Sequence, residues 1–134
     1  MKTKSYLTHS DVEKILAASK AEALKNNWAV TIAVVDDGGH LLGLQRLDGC
    51  ATISSYISQE KAKTAALGRR ESRIYEEIIN AGRTSFLSAP VLQGMLEGGV
   101  NIVIDGNTIG AVGVSGVKSI EDAQVAKAGI AALT

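Results

Sequence analysis

Two reversal signals, Asp36-Asp37-Gly38-Gly39 and Asp105-Gly106-Asn107, restrict this chain more than any other feature. Each stands between runs rich in β-branched residues. Asp-Gly and Gly-Gly steps supply the positive φ at which a chain reverses, so the flanking strands must pair antiparallel. Before the first reversal, Val30, Thr31, Ile32, Val34 and Val35 mark a strand over 28–35 that is apolar on both faces, as a central strand is. Residues 40–47 return as its partner, and Asp48-Gly49 ends the ribbon. The second ribbon pairs 100–104 with 108–115.

Helical signals surround the ribbons. Thr8 or Ser10 can cap a first helix that runs to about Lys25, where Asn26-Asn27 is a natural stop. A second helix spans about Thr52–Leu67 with a small-residue stripe at Ala62, Ala65 and Ala66, which permits close approach to a sheet or helix. Gly68 interrupts it, and Arg70–Ile79 resumes with Ile74, Ile78 and Ile79 as apolar anchors. Residues 81–99 read as loop, with a short strand near Val91-Leu92 or Met95-Leu96. The last helix covers about Ser119–Ala132, opened by Ser119 and the acids Glu121-Asp122. The expected fold class is α+β: a single antiparallel sheet with helices packed on it.

Composition narrows the function classes. With 134 residues and 46% apolar content the chain fits one domain, 1–134, with a real core. Fourteen basic and 14 acidic side chains leave no net charge, which excludes a bulk electrostatic nucleic-acid binder. No stretch approaches the ~20 apolar residues of a membrane span. The opening segment lacks the apolar run of a signal peptide, and one cysteine, Cys50, suits a reducing compartment, so the expected location is cytoplasmic.

Three segments in order resemble the GlcG/HbpS family, the haem-degrading-domain family, which is related to the C-terminal part of PduO-type adenosyltransferases. They are Ala33-Val34-Val35-Asp36-Asp37-Gly38-Gly39-His40-Leu41 running on to Arg46-Leu47-Asp48-Gly49, then Lys61-Ala62-Lys63-Thr64-Ala65, and finally Gly110-Ala111-Val112-Gly113-Val114-Ser115-Gly116 followed by Asp122-Ala123-Gln124-Val125-Ala126-Lys127-Ala128-Gly129. Together they span about Val30 to the C-terminus. The resemblance implies a profilin-like fold in α/β/α layers, a homo-oligomer, and for some members a bound haem or related tetrapyrrole. Some members belong to glycolate or to diol and glycerol utilisation.

The residues themselves offer few reactive sets. Asp36-Asp37 could act as an acid pair, but Asp beside glycine is ordinary turn chemistry. Of the two histidines, His40 is the better candidate for haem iron, since one imidazole nitrogen can bind metal while the other is oriented by a neighbour. A solvated hairpin histidine is the plain alternative, and His9 is weaker still. Arg46 and Asp48 point to the same side of their strand and either pair with each other or leave Arg46 to clamp a carboxylate. Lys61, Lys63, Arg69, Arg70 and Arg73 form a basic stretch that is either a solvated face or a holder of anionic groups. The resemblance singles out Lys61 and Thr64 within it. Gly113, Ser115 and Gly116 form a glycine-rich strand end that either lets the last helix approach or meets a flat ligand. It matches no nucleotide-binding pattern and no nucleophile elbow. Cys50 is reactive only if exposed, no zinc spacing exists, and the absence of Cys-x-x-Cys-His makes any haem non-covalent.

The expected function is therefore non-covalent binding of haem or a corrinoid in a cleft bounded by His40, Arg46, Lys61, Thr64 and the 113–116 turn. Five aromatic residues are few for such a wall, so a subunit boundary is expected to contribute. An oligomeric interaction module without a small ligand is one alternative. An accessory enzyme acting on a small hydroxy acid, aldehyde or corrinoid is the other, although no convergent acid, base and nucleophile are visible.

Overall fold

The computed structural model describes residues 1–134. In chain order the elements are α1 (His9–Lys25), β1 (Thr31–Asp36), β2 (Leu41–Arg46), α2 (Ser54–Gly68), α3 (Ser72–Asn80), a 3-10 turn (Thr84–Ser88), β3 (Gly99–Ile104), β4 (Asn107–Ser115) and α4 (Ser119–Ala131). Both hairpins form, and they merge through a β1–β4 pairing into one antiparallel sheet of order β2-β1-β4-β3. The α+β expectation is met.

Alternation along the two central strands divides the core. Ile32 and Val34 of β1 and Val112 and Val114 of β4 point to the face covered by α1 and α4, and join Val12, Ile15 and Val125 in the main cluster. Val35 and Ala111 point to the other face and meet Ala62, Ala65 and Ala66 of α2. The expected alanine stripe is thus the seat of α2 on the sheet. Gly113 sets how close that seat is: a Cβ there would lie 2.0 Å from the Ser58 carbonyl oxygen and 2.5 Å from the Ala62 nitrogen. The α1–α4 layer is apolar toward the sheet, the α2 layer adds buried Ser54, Ser58, Lys61 and Thr64 to its alanines, and the result is α/β/α.

Thr8, not Ser10, caps α1. Its Oγ1 accepts from the Asp11 N–H at 3.2 Å, and the Asp11 carboxylate accepts from the Thr8 N–H at 2.9 Å. Those hydrogen bonds also hold the Asp11 carboxyl below its usual range. At the other end Asn26 and Asn27 stop the helix as expected, with Asn27 left-handed at φ 59°.

The strand expected near Val91-Leu92 or Met95-Leu96 does not form. The segment carries a 3-10 turn and then irregular chain, with Val91 at φ 61°. Pro90 offers no N–H to a ladder, and a left-handed Val91 breaks the extended run. No helix is long and apolar enough to cross a membrane.

Candidate functional site

β2 is an edge strand that α2 covers only sparsely, and its two ends carry the two most accessible candidate residues. At the N-terminal end, the first hairpin is held by Asp36. Its Oδ1 accepts from the N–H groups of Gly38 and His40, both at 2.9 Å. This is the turn chemistry expected of the Asp-Asp-Gly-Gly signal. The same carboxylate meets His40 Nδ1, at 3.1 Å from Oδ1 and 3.2 Å from Oδ2. The His40 side chain is 79% exposed, so its Nε2 edge faces outward with the ring oriented from behind. Asp37 points elsewhere and is paired with Lys4, whose hydrogen bond holds the Asp37 carboxyl below its usual range. α2 flanks this end: a Cβ on Gly39 would lie 2.9 Å from Lys63 Cγ and 3.6 Å from Leu67 Cγ. Leu41 and Leu67 are exposed apolar side chains in this neighbourhood.

Arg46 sits at the far end of β2. Six residues of strand at about 3.4 Å each put it about 20 Å from His40. Its guanidinium touches only Ser55 Oγ, at 3.5 Å, and it makes no ion pair with Asp48 or any other carboxylate. The Ser55 contact lies on the α2 face of the sheet; Lys20, Trp28 and Leu47 border a separate open cavity beside the end of α1.

Lys61 is not a surface cation. α2 presses it against the end of β4, where Nζ donates to the Val114 carbonyl at 3.0 Å and to Asp122 Oδ2 at 3.1 Å, with both side chains buried. Asp122 Oδ1 also accepts from the Val117 N–H at 3.1 Å. Burial pushes the Asp122 carboxyl above its ordinary range, against the downward pull of Lys61 and the Val117 N–H. Thr64 is likewise fully buried, and its hydroxyl has no partner. Gly113 is taken up by the close approach of α2.

Ser115 is nearly buried, and its carbonyl lies 3.8 Å from Cys50 Sγ. Gly116 is exposed with φ +146°, beside Ala29 and Cys50. Cys50 also meets Ser54 Oγ at 2.8 Å, and Ser54 Oγ lies 2.7 Å from Thr31 Oγ1. His9 is a surface residue beside Glu13 on α1.

The expected single recess around residues 40, 46 and 61 therefore does not form within one chain. The first two occupy opposite ends of a strand, and the third is sealed inside. Lys63 belongs to the basic stretch already weighed as a holder of anionic groups, whereas Leu67 beside it, and Lys20 and Trp28 at the other end, were not expected. Leu67 and Lys20 come from helices, and Trp28 from the connection after α1, whose placement against β2 no local spacing signals. No group of three or more His, Cys, Asp or Glu side chains is arranged to hold a bare metal ion.

An open antiparallel sheet between α2 and the α1–α4 pair, with an oriented histidine at its edge strand, defines a profilin-like α+β domain. Residues 7–131 match the family described as haem degrading protein HbpS-like, and the chain belongs to that family. It is 63% identical over 115 residues to Protein GlcG of Escherichia coli strain K12, covering 86% of this chain and 85% of that protein. A crystal structure of a double mutant of Streptomyces reticuli HbpS superimposes with TM-score 0.88 at 27% identity, covering 100% of this chain and 91% of the other. A crystal structure of a PduOC–heme complex superimposes with TM-score 0.86 at 25% identity, covering 96% and 95% respectively.

Proposed function

We propose that the chain binds haem or a related tetrapyrrole such as a corrinoid non-covalently, in a homo-oligomer whose subunit boundary completes the site. One observation carries this reading: the His40 imidazole is anchored through Nδ1 by the Asp36 carboxylate and turns its other nitrogen outward. A carboxylate behind the ring fixes the tautomer and raises the basicity of the free nitrogen, which is what an axial ligand requires. The surroundings fit the group. Leu41 and Leu67 offer apolar surface for a flat ring, and Lys63 takes the role of carboxylate partner in place of the buried Lys61. Arg46 lies too far along β2 to serve the same macrocycle.

The need for a second copy follows from exposure. His40 lines none of the four main cavities of the chain, so one protomer offers one wall and not two. The heme complex of PduOC, on a closely superimposable backbone, supports the ligand class. Bound haem would supply a redox-active iron, and the residues named here do no more than bind and orient it. A role in glycolate or diol and glycerol utilisation belongs to the same proposal and rests on the family resemblance; a cytoplasmic location belongs to it too and rests on the single cysteine, which suits a reducing compartment.

Hemin titration followed at the Soret band tests the reading. A saturable shift in the wild type that His40→Ala abolishes is the expected result. An unshifted wild-type spectrum overturns the ligand class, and an equal shift in His40→Ala overturns the iron contact. Native mass spectrometry reports the assembly, and a monomer that still binds hemin overturns the shared site.

A further inference from the structure

β2 is an edge strand whose outer side pairs with no other strand. The Leu47 N–H donates to the Val30 carbonyl at 2.9 Å, in a register that sets Ile32 against Gln45 and Val34 against Gly43. Antiparallel bonding alternates, so the N–H and C=O groups of Leu44 and Arg46 turn away from β1 toward the open edge. Leu41, Leu44 and Arg46 stand opposite Val35, Ala33 and Thr31, on the face covered by α2. Leu42, which has no partner in β1, lies near the hairpin end and leaves Gly43–Arg46 regular.

Side chains do not guard this edge. Leu41 and Leu42 are exposed, and residues 41–46 hold no lysine, proline or acid. Above it, Tyr56, Lys63 and Leu67 share one stripe of α2 by helical spacing. Lys63 and Leu67 approach Gly39, so that stripe flanks β2, and Tyr56 and Leu67 are exposed on it. The two ends of the strand are also complementary in charge. Arg46 has no anionic partner, and the Asp36 carboxylate at the hairpin end has no cationic one beyond the His40 ring.

We propose that a second copy of this chain pairs its β2 antiparallel with this one, about a two-fold axis at Leu44. Faces alternate along a strand, so such pairing keeps like faces together only when the axis passes through a residue position. At Leu44 it joins the free groups of that residue to those of the partner's Leu44, and it merges two four-stranded sheets into one. It also sets the partner's Arg46 opposite Leu42, about 7 Å along the strand from His40. Arg46 of the same chain is about 20 Å away. The partner's Arg46 thus takes a carboxylate of the tetrapyrrole seated on His40, since a guanidinium free of other anions can hold one by two parallel bonds. The pairing stands without any ligand, whereas this role rests on the tetrapyrrole reading.

Cross-linking tests the pairing in a Cys50→Ser background, with diamide as the oxidant. Directly facing residues of a ladder have Cα atoms about 5.5 Å apart, a separation that a disulfide accepts. Leu44→Cys should therefore give a disulfide-linked dimer. Gln45→Cys, offset from its own copy by more than about 7 Å, should not. Leu44→Lys sets two like charges face to face, so it should halve the native mass of the wild-type assembly. No cross-link in Leu44→Cys, equal cross-linking in Gln45→Cys, or an unaltered mass for Leu44→Lys overturns the pairing. Arg46→Gln should raise the hemin Kd by roughly tenfold, the loss of one charge-assisted bond. Co-expressed with His40→Ala, it should recover a class of sites with the wild-type Kd, because one boundary then joins an intact His40 to the partner's Arg46. An unaltered Kd in Arg46→Gln, or no recovery in the mixture, overturns the role of the partner's Arg46. Cross-linking in Leu44→Cys without hemin binding by the wild type would remove the tetrapyrrole reading and this role together, and leave the pairing in place.

Discussion

Lys61 and Asp122, 61 residues apart in sequence, meet at 3.1 Å with both side chains buried, and so tie α2 to the start of α4 across the end of β4. Removing one member leaves the other charge without its partner in the interior, which is costlier than losing both. Lys61→Met is expected to destabilise the fold by about 3 kcal/mol or more. The double variant Lys61→Met/Asp122→Leu should recover most of that loss. Urea unfolding of the three proteins checks the pattern, and additive losses would show that the two groups act independently.

The same carboxyl gives a pH dependence of definite sign. Burial raises Asp122 above its ordinary 3.8, so just above that pH the folded chain keeps a proton that the unfolded chain has released. Its contribution to stability is therefore complete below 3.8 and is lost as pH rises through the raised value. Asp37 and Asp11, both lowered, work the other way and lose their contributions as pH falls below 3.8. Unfolding free energies of wild type and Asp122→Asn across this range should show the wild-type advantage shrinking with rising pH. An advantage that grows instead would mean that attraction to Lys61 outweighs burial.

The fold was legible where the chemistry is local. Asp36 to Gly39 and Asp105 to Asn107 fix both hairpins, and Asn26-Asn27 fixes the end of α1. One choice stayed open and one reading failed: Thr8 and Ser10 both suit a cap and Thr8 takes it, while Val91 suits a strand until its left-handed backbone is seen. The site was less legible for a different reason. Lys61 is expected to hold a ligand carboxylate because no local signal shows that its partner, Asp122, lies in another helix. Lys20 and Trp28 read as helix face and strand start, and only the packing of α1 beside the end of β2 brings them to one cavity with Leu47. Alternation along β2 predicts which face a residue uses. It says nothing about whether two residues on that strand share a ligand.

Gly113 separates a packing glycine from a ligand-contacting one. Its missing Cβ makes room for backbone atoms of Ser58 and Ala62, which cannot swing aside as side chains do. Gly113→Ala is expected to push α2 off the sheet and cost about 3 kcal/mol or more, the upper range of overpacking. Gly106→Ala meets open space and only the strain of its φ of +78°, so about 1 kcal/mol is expected. Thermal unfolding of both checks the order, and equal midpoints would remove the packing role.

Asp36→Asn isolates the carboxylate behind His40. Asparagine keeps an oxygen for the Gly38 and His40 N–H groups, so the hairpin and the thermal midpoint should survive. What it removes is the negative charge that makes His40 a stronger base. If His40 holds iron, hemin affinity should fall by about 10- to 100-fold, the usual effect of losing such a supporting partner. The remaining complex should keep a shifted Soret band, unlike His40→Ala. Unaltered affinity in Asp36→Asn, with wild-type hemin binding intact, would place the iron on another residue.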